Sequence, residues 1–416
     1  MLRIAVAGGS LGGLTAALLL RDAGHDVCVF ERSPVALTGF GAGIVAHEVS
    51  LRYFTGRTTR SPDTFTVPVD TYRLIDPKGA LLHEERVAYR FVSWGTLHRA
   101  LLEEFGRERY VHGVALERFQ QDERGVDVRF TSGERARFDL LVLADGIQST
   151  GRAQLFPEVV PAYSGYVAWR GTVEERAIPA WALERLDGTL TYTLIPNSHI
   201  LVYPIPDAEG RVARGERLWN FVWYRNVEEG AGLDALMTER DGVRHAVSLR
   251  PGRVEKRYVT ELKSFARAHL PPEIAEVVDA TESPFLQVVM DAACPRMAVG
   301  RVCIIGDAAF AARPHAAAGT AKAAENAWTL AEALAGARDD WRSALEAWSV
   351  HQTRLGECLV ARARHIGKGS QFRCDWRPGD PMLRFGLYEP GDSSIWTRTT
   401  RSDPGWWLRR MQRPGV

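Results

Sequence analysis

Residues 2–31, LRIAVAGGSLGGLTAALLLRDAGHDVCVFE, decide the fold. Residues 2–7 read as a short apolar strand. Residues 11–23 read as a helix dominated by Ala and Leu, with Gly24 placed to stop it. Residues 27–31, VCVFE, read as a second strand. A strand–helix–strand unit predicts a parallel sheet, because two parallel neighbours need a crossover long enough to hold a helix. Between the first strand and the helix lies Gly8-Gly9-Ser10-Leu11-Gly12-Gly13, a G-x-G-x-x-G pattern with Ser10 at the second glycine. Glycines there permit a tight turn, and the helix N-terminus behind them faces a pyrophosphate. Ser10 narrows the backbone approach but brings a hydroxyl to the phosphate. Glu31 ends the second strand, where a carboxylate accepts hydrogen bonds from ribose hydroxyls, and Arg32 follows it. The structural alternative is a plain glycine-rich turn with a solvated Glu31.

Composition narrows what such a chain does. It has 416 residues, which suits two or three domains. Apolar residues make up 45% and charged residues 25%, proportions of a globular chain with a large core. Lys and Arg number 52 against 51 Asp and Glu, a net charge of +1. That balance argues against nucleic acid or an anionic membrane as the partner. Four glycines interrupt the N-terminal apolar run, which argues against a signal or membrane helix. The five cysteines include no C-x-x-C spacing, so neither a metal site nor a disulfide framework is expected. A reducing, cytoplasmic location fits.

Further along, residues 39–45 form a glycine-rich loop, 96–105 an amphipathic helix, and 126–130 and 136–144 strands. From about 160 the texture changes. Residues 163–171, 190–206 and 217–225 are aromatic and β-branched, with Pro196-Asn197 as a turn, and predict a mostly antiparallel sheet. Helices are expected over 230–248 and 261–278. RVCIIGDAA (301–309) returns to a buried parallel strand, and helices follow near 320–335 and 340–368. The expected fold is α/β: a Rossmann-like nucleotide-binding domain split in sequence (1–160 and 293–370, the latter with the C-terminal helices), an inserted aromatic-rich sheet (161–292), and an irregular tail (371–416).

Two further motifs carry chemistry. Asp145-Gly146-Ile147-Gln148-Ser149 is followed by Arg152, and Gly306-Asp307-Ala308-Ala309 by Pro314 and Gly319. Each acid ends an apolar strand, and Asp307 is placed to accept a hydrogen bond from a polyol hydroxyl. The backbone at 316–320 leads into a helix N-terminus, whose positive end stabilises an anionic ring.

Together the three motifs resemble the single-component FAD-dependent aromatic hydroxylases. GGSLGGL, GAGIV, GYVAWRG, FVWYRN and GDAAFAARPHAAAGT resemble the 2,6-dihydroxypyridine 3-hydroxylase branch in particular. The resemblance implies FAD, NADH or NADPH as electron donor, dioxygen as co-substrate, and oxygen transfer to an electron-rich ring, a pyridinol foremost, through a flavin hydroperoxide. It assigns the cofactor to Gly8, Ser10, Leu11, Gly12, Gly13, Glu31, Arg32, Leu116, Asp145, Asp307, Ala317 and Gly319. Several positions depart from the family: Phe310 stands for a common histidine, Ala316 and Ala317 for a glycine pair, Ala321 for an asparagine, and Trp94 for an FAD-contacting arginine.

His47 and His315 are the candidate proton-handling groups, since histidine titrates near neutrality; their alternative is a loop position without chemistry. Arg170 and Arg225 are candidates to bind an anionic ring oxygen, and solvent-facing positions are the alternative. Trp169, Trp219, Phe221, Trp223 and Tyr224 are expected to share the aromatic cavity and the sheet core, with at most half facing substrate because strand side chains alternate. Two other functions use the same residues: another flavin-dependent oxidoreductase, an epoxidase or dehydrogenase, and a flavin-bearing binding protein without turnover. Oligomeric state is not legible in the sequence.

Overall fold

The computed structural model describes residues 1–35, 37, 42–337 and 340–392. Of the glycine-rich loop at 39–45, residues 39–41 lie outside the described residues, as do 393–416 of the expected tail.

β1 (Arg3–Ala7), α1 (Leu11–Asp22) and β2 (Asp26–Glu31) reproduce the opening unit. β3 (Gly43–Val45), α2 (Glu48–Gly56), β4 (Val67–Ile75) and β5 (Leu81–Ser93) follow, then α3 (Trp94–Phe105) and β6 (Tyr110–His112). β7 (Leu116–Gln121), β8 (Val126–Phe130) and β9 (Arg135–Phe138) form a three-stranded antiparallel sheet, and β10 (Leu140–Leu143) comes next. The run 136–144, expected as one strand, is therefore two strands in two sheets. Asp139 stands at the break and accepts a 2.7 Å hydrogen bond from Arg3 N.

α4 (Thr150–Leu155), β11 (Ala162–Glu174), α5 (Ala180–Leu186), β12 (Thr189–Ile195), β13 (Ser198–Ile205) and β14 (Leu218–Asn226) carry the aromatic region. Asn197 turns the β12–β13 hairpin at φ 56°, a left-handed conformation that Asn tolerates. The helix expected over 230–248 contracts to α6 (Ala231–Leu236), followed by β15 (Ser248–Leu249). The helix expected over 261–278 is two, α7 (Lys256–His269) and α8 (Pro272–Ala280). Pro271 and Pro272 lack the amide hydrogens that would continue α7, and proline suits the first turn of α8. β16 (Phe285–Ala293), β17 (Ala298–Val299), β18 (Val302–Ile304), β19 (Phe310–Ala311), α9 (Gly319–Gly336) and α10 (Trp341–Lys368) complete the order.

The first sheet has the order β17-β18-β10-β1-β2-β6, parallel from β18 to β6. Its central strands are buried on both faces, as a parallel sheet covered by helices requires. The second, ten-stranded sheet runs β15-β16-β11-β14-β13-β12-β4-β5-β3, with β19 beside β16. This corrects the domain boundaries. Residues 43–93 belong to the segment assigned to the nucleotide-binding domain, yet they supply three strands to the aromatic sheet. Their alternation is too irregular to reveal it: β5 pairs with β4 across two register shifts.

The large sheet has two unlike faces. One, with Trp169, Trp219, Phe221 and Trp223, packs against residues of α5, α7 and α8. The other, with Tyr166, Ala168, Leu201, Tyr203, Val222 and Tyr224, turns towards the loops of the first sheet. That face is tied within the sheet, where Gly43 N of β3 donates to Asn220 Oδ1 at 2.7 Å and Tyr203 OH donates to Gly43 O at 2.8 Å, and to the loop before α9, where Tyr166 OH lies 2.7 Å from His315 Nε2. Among the described residues no helix is long and apolar enough to cross a membrane.

Candidate active site

The glycine loop leaves no room for side chains. A Cβ on Gly8 would lie 2.3 Å from Ala144 O, and one on Gly13 would lie 1.9 Å from Gly8 O. Gly8 also sits at φ 105°, which only glycine adopts at low cost. α1 begins at Leu11, so its first amides, those of Leu11, Gly12 and Gly13, have no intrahelical acceptor. Ser10 is the N-cap, yet its hydroxyl makes no capping bond. The loop thus presents a helix N-terminus and a hydroxyl.

Glu31, at the end of β2, is buried. Its Oε2 accepts from Gly9 N at 2.8 Å and its Oε1 from Ser33 N at 2.9 Å. The Gly9 carbonyl is held in turn by His98 Nε2 and Tyr110 OH, each at 3.0 Å. A carbonyl only accepts, so His98 carries its proton on Nε2, and burial lowers its pKa. His98 stacks under Trp94, with ring centroids 4.9 Å apart. Leu116 is buried just beyond Val114, whose amide bonds Glu31 O at 3.0 Å. Arg32 is exposed.

The two acid motifs interlock. The Asp145 carboxylate accepts from Gly151 N at 3.1 Å, so it supports the turn into α4, and burial raises its pKa. Arg152, buried, donates to Ala308 O at 3.0 Å and to Ile147 O, tying one motif to the other. Asp307 is exposed on its outer side and pairs with Lys322 at 2.8 Å. Lys322 is 1% exposed and also donates to Phe310 O. Phe310 fills the space over Gly356, where a Cβ would lie 2.3 Å from its ring. Gly319 opens α9, and a Cβ there would meet no atom within 4 Å. Just before it, Ala317 adopts φ 52°.

His47 stands at the N-cap position of α2 without capping it, and its Nε2 meets the Ala317 carbonyl at 3.0 Å. That acceptor places the ring proton on Nε2 and leaves Nδ1 as a buried lone pair without a partner. Burial lowers the His47 pKa to about 4. His315, in the same loop as Ala317, is buried with Nε2 2.7 Å from Tyr166 OH, and burial drives its pKa well down. Arg170 on β11 shares the face of Tyr166 and lies beside Tyr203 and Tyr224; its Nε is buried without a partner.

Two residues assigned to substrate sit elsewhere. Trp223 and Arg225 flank Tyr224 on β14, so alternation sends both to the opposite face. The Arg225 guanidinium stacks 4.3 Å from the Phe265 ring of α7, and Trp223 Nε1 donates to Ser198 Oγ at 2.9 Å. Trp169, Trp219 and Phe221 also face the helices, which leaves Tyr224 alone of the five aromatics on the site side.

Their place is taken by residues the sequence does not single out. His199 on β13 lies 4.6 Å from Tyr224 and 5.2 Å from His315, ring to ring. Trp376 lies 4.7 Å from His199, and Gln371 Nε2 is 3.1 Å from His199 Nδ1. Phe385 packs 5.1 Å from Tyr89. Residues 371–388 are thus a wall of the site. Arg362, buried in α10, holds the segment by donating to the carbonyls of Gly386 and Arg384, and Gly386 N bonds Ala316 O at 3.2 Å. One weak signal exists in the chain: His199 interrupts an otherwise apolar strand.

Comparison with known proteins agrees with this geometry. The FAD binding domain-like family matches residues 163–291. The chain is 38% identical to 2,6-dihydroxypyridine 3-monooxygenase of Paenarthrobacter nicotinovorans, over 95% of this chain and 98% of that one. It is 30% identical to 3-amino-4-hydroxybenzoate 2-monooxygenase of Streptomyces cremeus, over 80% of this chain and 78% of that one. Its fold superposes on the structure of 2,6-dihydroxypyridine-3-hydroxylase from Arthrobacter nicotinovorans with a TM-score of 0.88 and 36% identity, covering 93% of this chain and 97% of the other. A glycine cradle for a nucleotide, facing a buried aromatic wall in a chain so similar to ring-oxidising enzymes, makes this protein a member of the single-component FAD-dependent aromatic hydroxylases, which draw electrons from NAD(P)H.

Proposed function

We propose that this hydroxylase acts on a hydroxylated pyridine, bound in its ionised form between the aromatic face of the large sheet, the segment 43–47 and the loop 313–319. One observation carries the reading: the polar atoms left unpaired on that buried seam belong mainly to uncharged groups. They include His47 Nδ1, His315 Nδ1, Asn220 Nδ2 and Gln371 Oε1, with Arg170 Nε and Arg362 Nε as cationic exceptions. Unpaired buried polar atoms mark a place where a ligand completes the bonding. A small ring with one or two oxygens matches them, whereas a polycarboxylate would bring more charge than these groups compensate.

FAD fits the chain on the same kind of evidence, the Cβ-free cradle at Gly8, Gly12 and Gly13. Gly8 through Gly13, Glu31, Arg32, Leu116, Asp145, Asp307 with Lys322, and Ala317 through Gly319 are the residues that would hold it. Bound FAD supplies electron transfer from NAD(P)H and activation of dioxygen. The protein's own part is to bind, orient and keep dry. Tyr224, Trp376 and Tyr192, the last stacked 6.2 Å from His199, offer rings for stacking. Arg170 draws the ring oxygen towards its ionised, more nucleophilic form. His47, neutral and pinned by Ala317 O, offers the Nδ1 lone pair as acceptor for the ring hydroxyl proton. Trp376 and Phe385 shut water out.

The test is a panel of hydroxylated pyridines, phenols and hydroxybenzoates scored for stimulated NAD(P)H oxidation, with product mass recorded under labelled dioxygen. The expected result is that 2,6-dihydroxypyridine or a close analogue stimulates oxidation about tenfold or more and gains one labelled oxygen. Stimulation by hydroxybenzoates with none by pyridinols would remove the substrate class.

A further inference from the structure

We infer that His199 and His315 form the polar end of the ring pocket as two neutral imidazoles, each presenting one N–H donor to an oxygen of the substrate. The inference rests on the reading of this site as that of a ring hydroxylase, and it names which atoms recognise the ring.

The hydrogen bonds around the two histidines set where each proton sits. Tyr166 OH is 2.7 Å from His315 Nε2 and 3.5 Å from Arg313 Nη1. A guanidinium only donates, so Arg313 uses the acceptor side of the phenol oxygen. Among the described residues His315 Nε2 is the one acceptor within reach of the phenol proton, so the phenol donates to it. An Nε2 that accepts leaves the ring proton on Nδ1, and that Nδ1 is buried without a partner.

The same logic applies to His199. Gln371 Nε2 lies 3.1 Å from His199 Nδ1 and 3.2 Å from Ser370 Oγ. Ser370 Oγ gives its proton to the Gly367 carbonyl at 3.3 Å, so it requires a donor from Gln371. That makes the shared Gln371 atom the amide nitrogen. His199 Nδ1 consequently accepts, and its proton sits on Nε2, which has no partner among the described residues. Burial keeps both rings neutral, with His199 held down to about 3.

Packing fixes the direction of His315. A Cβ on Gly367 of α10 would lie 2.4 Å from Tyr166 OH and 2.8 Å from His315 Nε2. The Nε2 edge is therefore turned to the helix, and the Nδ1–H edge away from it. Glycine weakens a helix interior relative to alanine, and here it makes room for the Tyr166–His315 pair. The two imidazoles lie 5.2 Å apart, with Tyr224 4.7 Å from His315 and Trp376 4.7 Å from His199. Two adjacent imidazoles flanked by aromatic rings suit a flat heterocycle carrying more than one oxygen. Tyr166 and Gln371 are positioning residues, since they act by setting which nitrogen is protonated.

The experiment uses the FAD-loaded enzyme, with 2,6-dihydroxypyridine as probe, and reads the dissociation constant from flavin absorbance together with KM and kcat of NAD(P)H oxidation. His315→Phe and His199→Phe keep a ring but remove the donor. Each is expected to weaken probe binding about tenfold or more. His315→Gln restores an N–H donor and is expected to recover most of that loss. Tyr166→Phe is expected to raise KM more than it lowers kcat. The double variant Tyr166→Phe/His315→Phe is expected to bind no worse than His315→Phe alone, because the phenol acts through the imidazole. If both Phe variants retain FAD and bind the probe as the parent does, the donor assignment is wrong while the hydroxylase reading stands. Additive loss in the double variant would overturn the role of Tyr166. A parent enzyme that turns over phenols but never binds the probe overturns the substrate reading and this inference together.

Discussion

At the glycine loop, six consecutive residues and one acid on the next strand shape the nucleotide end of the site within the first 31 residues. The ring end draws Tyr166, His199, Tyr224, His315, Gln371 and Trp376 from three strands, a loop and the C-terminal segment. The first region is built by backbone: what matters there is the absence of side chains and the direction of amides. The second is built by side chains that only a finished sheet brings together. A backbone site is intolerant, since one methyl group meets a carbonyl oxygen. A side-chain site is graded, since each group contributes one contact among several and specificity shifts without loss of the fold.

The sharpest break in that comparison is Gly13→Val. With a Cβ placed 1.9 Å from Gly8 O, the loop must move, and a destabilisation of about 3 kcal/mol with loss of bound flavin is expected. Absorbance per chain and the thermal midpoint check it. Retained flavin would show that the loop is more plastic than its contacts imply.

A comparable effect is expected from acid on the buried imidazoles of the seam. His47 has a folded pKa of about 4 against an ordinary 6.5, so the unfolded chain binds more protons between those values. Stability is fully present above about pH 6.5 and falls as pH drops towards 4, by about 3 kcal/mol from His47. Thermal midpoints from about pH 7 to about pH 4.5 should decline, and the decline should be shallower in His47→Asn. An unchanged slope would show that His47 is not the group being charged.

Glu31→Ala separates the two ends more gently. Loss of the carboxylate frees Gly9 N and removes the acceptor for ribose hydroxyls. FAD affinity is expected to fall about tenfold, in line with about 1–3 kcal/mol for such bonds. Flavin titration of the apoprotein measures it, and equal affinity would contradict the role given to Glu31. The smallest effect belongs to Arg225→Ala. Because that guanidinium stacks on Phe265 behind the sheet, substrate KM should change less than about twofold, with a small loss of stability. A large rise in KM would return Arg225 to the site.

The strand–helix–strand opening, the glycine loop, Glu31, the two acid motifs and the aromatic texture of the inserted sheet are all legible in the chain itself. Each is a local property: periodicity, a glycine where a turn demands one, an acid at a strand end. That the segment 43–93 crosses into the aromatic sheet is not legible, because pairing over long separations leaves no mark on irregular alternation. Alternation tells that half of β14 faces one way, and it is silent on which half. The tertiary structure decided that by laying α7 and α8 over Trp219, Phe221 and Trp223, leaving Tyr224 to the site. It also decided that 371–388 pack against the Tyr224 face of the sheet, since an aperiodic segment has no preferred face until Arg362 and Ala316 capture its backbone. The nucleotide end is determined by the sequence because backbone conformation is encoded residue by residue; the ring end waits for the fold because its contacts exist only between elements already packed.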